Sequence, residues 1–216
     1  SDSLKVNLEN SSSLALGLNG SMGVSTYTSE RITPADRSGT AASDVKINGK
    51  NFLSATLADI SASTEAAGAI ADAINLNTGV HGAVATAFNT VDSAVQGSFS
   101  MTGTFTINAQ TVAISTSKQE LVDNINLLVN GVQARLNGDD TFTLFNDDGG
   151  EIIVAGAKAV DVGLTIDTYE GFVSLENLDG SAVVVEAGNK ANGYGSSAAG
   201  TVGDITGFGF NQTTSD

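Results

Sequence analysis

The sequence has no cysteine and no tryptophan, one proline, one histidine and only 9 basic residues in 216. Without thiols, disulfides, thiolate catalysis and cysteine-based zinc sites are excluded. Against those 9 lysines and arginines stand 24 acidic residues, for a formal net charge of −15. That is the wrong sign for a nucleic-acid-binding face or for an anionic membrane surface. No run of 18 apolar residues occurs, so no transmembrane helix is expected. Ser1-Asp2-Ser3-Leu4 shows no basic region followed by an apolar stretch. The chain therefore reads as a segment excised from a longer protein, with any export signal outside it.

Hydrophobic residues make up 41% of the chain, enough for a packed core, while aromatics are 6% and glycine counts 25. Such a core is built from Val, Ile, Leu, Ala and a few Phe, and the chain between is rich in turns, the composition of a β-rich domain. The acidity reads as a solubilising, self-repelling exterior.

Leu4, Val6 and Leu8, then Leu14, Leu16 and Leu18, alternate as one or two strands around Ser11-Ser12-Ser13. Residues 25–43, which hold Pro34, read as a surface loop. Val45-Lys46-Ile47-Asn48-Gly49 alternates and ends in Asn-Gly, a strong hairpin signal, with Phe52 and Leu53 on the return strand. Ser63 or Thr64 can cap a helix whose apolar face is Ala67, Ile70, Ala71 and Ile74. Asn77-Thr78-Gly79 stops it, and Val80, Ala83 to Ala85 and Phe88 read as a strand.

The order recurs. Phe105, Ile107 and Asn108 form a strand and turn, and Val112 and Ile114 return. Ser117-Lys118-Gln119-Glu120 has the spacing of a capping box, and Leu121, Ile125 and Leu128 give a helical stripe stopped by Asn130-Gly131. Val132, Ala134 and Leu136 alternate. Two hairpins then suggest themselves, Phe142 to Phe145 with Ile152 to Val154, and Phe172 to Leu175 with Ala182 to Val185. Phe208 and Phe210 suggest a last strand.

The expected fold is therefore α+β and β-rich, with two ββαβ-type units whose antiparallel sheets each pack on one short helix. Because the second hairpin lies so far downstream of the first unit, the expected organisation is nested. Residues 1–95 plus 160–216 form a discontinuous domain, and 96–159 are inserted at an exposed turn as the second unit. Tandem units are the alternative.

Two Ile-Asn pairs recur in order with their surroundings. Val45-Lys46-Ile47-Asn48-Gly49, Ala69-Ile70-Ala71-Asp72-Ala73-Ile74-Asn75 and Thr78-Gly79-Val80 resemble the "IN" motif of bacterial flagellins. The second copy is looser, with Ala109 in place of the glycine and Asn130 in place of the threonine. The resemblance covers about residues 44–91, 104–157 and 170–186. It implies a structural module of the variable, antigenic middle of flagellin, projecting from the filament on the outside of the bacterium, with 96–159 the most distal part. Export would run through the flagellar secretion apparatus. The segments that polymerise in flagellins would lie outside this chain, so the fragment is expected to be monomeric. Neighbouring subunits, glycans, antibodies, phage or host surfaces are the expected partners. The motif also occurs in filament-cap proteins, so an adhesion or carbohydrate-binding module is the alternative, although an aromatic platform could draw only on Tyr27, Tyr169 and Tyr194.

Catalytic chemistry finds little purchase. His81 has no cysteine to pair with, no Gly-x-Ser-x-Gly elbow is present, and a surface or strand-edge position is expected for it. Asp139-Asp140 and Asp147-Asp148 offer calcium-type ligands without the spacing of a calcium loop, and are expected to be solvated turn residues. Gly193-Tyr194-Gly195 and Gly207-Phe208-Gly209 lack the partners of a phosphate loop and are expected to be flexible connections. Asn10-Ser11-Ser12 and Asn211-Gln212-Thr213 are formal glycosylation triplets. No enzymatic activity, cofactor, metal or catalytic residue is expected.

Overall fold

The computed structural model describes residues 26–32, 44–54, 66–96, 98–188 and 200–213. The expected strands before residue 20, Pro34, the cap at Ser63 or Thr64, Asn10 and Tyr194 lie outside them.

The protein is α+β and β-rich. Its first ββαβ unit comprises β1 (Thr26–Thr28), β2 (Val45–Ile47), β3 (Lys50–Asn51), α1 (Ala66–Asn75), a short α2 (Thr78–His81) and β4 (Ala83–Asp92). The second comprises β5 (Phe105–Ile107), β6 (Gln110–Val112), α3 (Lys118–Leu128), β7 (Gln133–Leu136), β8 (Phe142–Asn146) and β9 (Ile152–Ala155). A 3-10 turn, Ala157–Val162, leads to β10 (Asp167–Tyr169), β11 (Phe172–Asn177), β12 (Val185–Ala187) and α4 (Val202–Thr206).

Both hairpins turn as their sequences ask. Asn48 and Gly49 have φ of 53° and 71°, the paired positive values of a type I′ turn. Asn108 and Ala109 repeat this at 49° and 60°. Ala109 does so without glycine's freedom, a conformation that costs an L-residue about 1–2 kcal/mol. The helical stripe of α1 is as expected, with Ala67, Ile70, Ala71 and Ile74 buried, but that of α3 is kept only in part, Leu121 and Ile125 being buried together with Val122 in place of the expected Leu128. Leu128 and Ile114 are exposed. Ser117 caps α3 by accepting from the Glu120 N–H, but the Glu120 carboxylate reaches back to the Thr116 N–H and hydroxyl, one residue earlier than a capping box would have it.

Three expectations give way. The two suspected hairpins are not hairpins: β8 pairs with β4 and β7 while β9 pairs with β5 and β10, and β11 pairs with β1 and β4 while β12 pairs with β2. In each unit the chain crosses from one sheet to the other at its acidic turn, so that both sheets close over the core. Residues 26–28 belong to a strand rather than a loop, because β11 offers them an open edge. Phe208 and Phe210 lie on a turn after α4, with Phe208 edge-on to Phe52 at 4.8 Å. The Gly207-Phe208-Gly209 segment is thus a core plug, both its phenylalanine and Phe210 being buried.

The sheet order β1-β11-β4-β8-β7 makes β4 the shared strand. Its residues 83–88 pair with β11 and its residues 89–92 with β8. Two buried clusters flank the junction. One draws on residues between Ile32 and Ala85 and again between Val173 and Phe210; the other runs from Val91 to Leu164. The second cluster thus reaches past 96–159 on both sides, because the end of β4 and the 3-10 turn help to cover it.

The repeated Ile-Asn pairs perform the same task in both units. Among the described residues, the first half of β4 has no strand neighbour on the side away from β11, and β7 is a sheet edge. Asn75 fills the gap, its Nδ2 donating to the Ala85 carbonyl (2.8 Å) and its Oδ1 accepting from the Ala85 N–H (2.8 Å). Asn126 does the same at Ala134, at 3.0 and 2.7 Å. The hairpin asparagines extend a ladder instead. Asn48 donates its N–H to Val184 and accepts the Val184 N–H on Oδ1, and Asn108 treats Ile153 identically. Each preceding isoleucine is buried, which fixes the asparagine's position.

Replacing Asn75 or Asn126 with alanine removes two hydrogen bonds to backbone that has no other partner on that side among the described residues. Either variant should lose about 1–2 kcal/mol in urea unfolding. The adjoining Leu76 and Leu127 are 78% and 79% exposed. Their replacement by serine should change stability by less than about 0.5 kcal/mol.

Candidate functional site

The most concentrated polar arrangement among the described residues sits where the two units meet, around Asn89. This side chain is fully buried in the middle of β4. Its Nδ2 donates to the carbonyls of Gly150 (2.8 Å) and Tyr169 (2.7 Å), and its Oδ1 accepts from Arg31 (2.8 Å). Arg31 donates further to the carbonyls of Glu170 and Thr90. Its guanidinium lies 4.6 Å from the Phe172 ring centroid and 5.1 Å from that of Tyr169. Phe88 stacks on Phe172 at 5.2 Å.

One amide and one guanidinium thereby tie together β4, the turn after β8, the strand β10 and the entry to β11. Burial lowers the Arg31 pKa, and the nearby Tyr169, Asp167 and Glu170 oppose that shift. A guanidinium remains charged throughout the physiological range, so the clamp is permanent. The backbones approach closely at the same place. A Cβ on Gly171 would stand 2.3 Å from the Gly149 carbonyl oxygen, and one on Gly149 would stand 2.6 Å from the Ala87 Cβ.

The residues singled out by sequence are dispersed. His81 is not on the surface but 3% exposed at the end of α2. Its Nε2 lies 3.1 Å from the Ile74 carbonyl and its Nδ1 accepts from the Ala83 N–H at 3.1 Å, which defines a neutral ring with the proton on Nε2. The turn needed a group that both donates and accepts, and the short α2 displaced the strand expected at Val80. Burial pushes the His81 pKa below its ordinary value, against the opposing effect of hydrogen bonds to Ile74 and Phe52.

Asp139 accepts from the N–H and hydroxyl of Thr141, which lowers its pKa. Asp140 meets the Lys118 ammonium at 2.6 Å. Asp147 and Asp148 stand beyond the other end of β8, a strand of five residues or about 17 Å, so the two pairs do not converge. Among the described residues no group of three or more His, Asp or Glu is placed to hold a metal ion. No described helix is long and apolar enough to cross a membrane. Tyr27 is bonded to Asn211 and lies 5.8 Å from Phe210, while Tyr169 lies under Arg31. Neither forms part of a free aromatic platform.

A scan against protein-family models finds no match for the chain, and a search of curated proteins finds none either. The junction was missed in the sequence because Arg31 fell within an apparent loop. The one available signal was Asn89, a polar residue in the middle of a strand of small and apolar neighbours.

Two measurements follow. Asn89→Ala leaves the Gly150 and Tyr169 carbonyls without their donor and takes one acceptor from the half-buried Arg31 guanidinium, and should cost about 2–4 kcal/mol. Amide exchange should quicken in both β4 and β8, whereas a change below about 1 kcal/mol would show that the junction is held by apolar packing instead. For His81 the folded pKa lies below the unfolded value of about 6.5, so below that pH the unfolded chain binds more protons. Stability should be full above about pH 6.5 and fall as the pH drops through the folded pKa. His81→Gln should flatten this part of the profile of urea midpoint against pH.

Proposed function

We propose that this chain is a structural module of a flagellar filament subunit, a flagellin, exposed on the filament surface and without enzymatic activity. The observation that carries the reading is the meeting of segments far apart in sequence. The Tyr27 hydroxyl accepts from the Asn211 N–H at 2.6 Å and donates to the Asn211 carbonyl at 2.9 Å, across a separation of 184 residues. A module whose two connections leave at one point can stand off a filament core without interrupting the chain that builds that core.

The same device supports the nested organisation. The Ala94 N–H donates to the Gly163 carbonyl at 2.8 Å, closing the base of the second unit. On this reading residues 1–95 plus 160–216 are the inner part of the projection and 96–159 the distal part. The repeated Ile-Asn pairs, with their shared bonding, support the family assignment on which the role rests. The net charge of −15 would give the filament an acidic exterior whose subunits repel their neighbours within a screening length of about 10 Å at 0.1 M salt. The module would set filament thickness, surface charge and the face seen by antibodies, phage, glycans or host surfaces. It would lie outside the cell, and contacts with neighbouring subunits would run mainly through segments beyond this chain.

Immunogold labelling of the source cells with antibodies raised against the folded module tests the proposal. Decoration along the full length of flagellar filaments is expected. Label confined to filament tips would assign the module to a cap protein, and label elsewhere on the cell, with bare filaments, would overturn the flagellar reading.

A further inference from the structure

We infer that Asn130-Gly131 is a site of spontaneous covalent modification, at which the asparagine closes to a succinimide and opens to aspartate and isoaspartate, while Asn48-Gly49 and Asn137-Gly138 are protected by the fold. The sequence holds five Asn-Gly pairs, of which these three lie among the described residues. Glycine favours the reaction in each, because without a Cβ its nitrogen is unshielded and its backbone is free to turn. They differ in what holds the asparagine side chain.

Asn130 is exposed and follows the end of α3. The side chain of Gln110 grips its backbone, Oε1 accepting from the Asn130 N–H at 3.0 Å and Nε2 donating to the Asn130 carbonyl at 3.3 Å. The Asn130 side-chain amide itself has no hydrogen-bond partner among the described residues. Gly131 has φ 77°, and a Cβ there would meet only Asn146 Nδ2, at 3.9 Å. The turn is thus held at one end, with an unengaged amide and an uncrowded glycine at the other.

The Asn48 amide is occupied on both sides, its Oδ1 accepting from the Val184 N–H and its Nδ2 donating to the His81 carbonyl and to Asn177. The Asn137 Nδ2 donates to the Thr141 and Thr143 hydroxyls at 2.9 and 3.0 Å. In either case moving Cγ onto the following nitrogen breaks these bonds first.

The chemistry needs only solvent. The Gly131 nitrogen attacks Asn130 Cγ and loses its proton, the bond from Cγ to the side-chain nitrogen breaks, and ammonia departs. Water then adds at one of the two imide carbonyls and cleaves that carbon–nitrogen bond, giving aspartate or isoaspartate. The product adds one negative charge in the cleft that Asn130 shares with Asp147 and Asp148. The isoaspartate form also reroutes the backbone through the former side chain, so that Gln110 no longer faces the same N–H and carbonyl pair. Ageing would therefore loosen the tie between β6 and the end of α3 in the second unit first.

Trypsin separates the three pairs onto residues 47–50, 119–135 and 136–158. The folded protein is incubated in mildly alkaline buffer, then digested and followed by peptide mass and by enzymatic methylation of isoaspartate. Conversion in 119–135 should outrun the other two at least about tenfold, the factor expected when one or two hydrogen bonds must first be broken. The difference should shrink in urea, and Asn130→Gln, which keeps the backbone contacts to Gln110, should abolish conversion in that peptide. Equal rates in the folded protein, a difference that persists in urea, or conversion that survives Asn130→Gln would each overturn the inference.

Discussion

Much of this architecture depends on a side-chain amide standing in for a missing β-strand. A strand with one unpartnered side carries N–H and C=O groups that must be satisfied or left to water. An asparagine at the end of a helix can present a donor and an acceptor together, in the arrangement another strand would offer. Asn75 and Asn126 do this at Ala85 and Ala134. The arrangement fixes the distance and rotation of each helix against its sheet. It also lets a unit with one short helix and few aromatics close its core, because the buried isoleucine before each asparagine packs while the amide bonds.

The second constraint is the division of β4. A ten-residue strand whose two halves pair with different partners cannot belong to one unit alone. Asn89 sits at the changeover and draws the turn after β8 and the strand β10 onto the same side chain. The protein thus joins its two repeats through a common strand locked by a buried polar group, rather than through a linker. On the proposed reading, this joint would transmit drag from the distal unit to the inner one without a hinge.

Several elements were legible because they rest on local rules. Asn48-Gly49 predicted its turn from the need for two positive φ values, and the apolar spacing of Ala67, Ile70, Ala71 and Ile74 predicted the buried face of α1. The Ile-Asn repeats announced a duplicated unit even where Ala109 replaced the glycine. Where partners lie far away, the reading failed. Phe142 to Val154 and Phe172 to Val185 looked like hairpins because a strand, a turn and a strand are the local signature of one. Whether adjacent strands pair or part depends on edges offered by β4, β5 and β2, between about fifty and 140 residues away. Arg31 and His81 were misjudged for the same reason, since nothing in their immediate sequence says that Asn89 or the Ile74 carbonyl awaits them.

What the sequence by itself determined is the set of elements, the α+β class, the duplication and the acidic exterior, because turn chemistry, helical periodicity and charge act within a few residues. What only the tertiary structure decided is which strands meet, which polar groups are buried and which of the three Asn-Gly pairs among the described residues is left with its amide free. Those outcomes follow from long-range backbone pairing, in which each N–H and C=O takes the partner that chain closure brings to it.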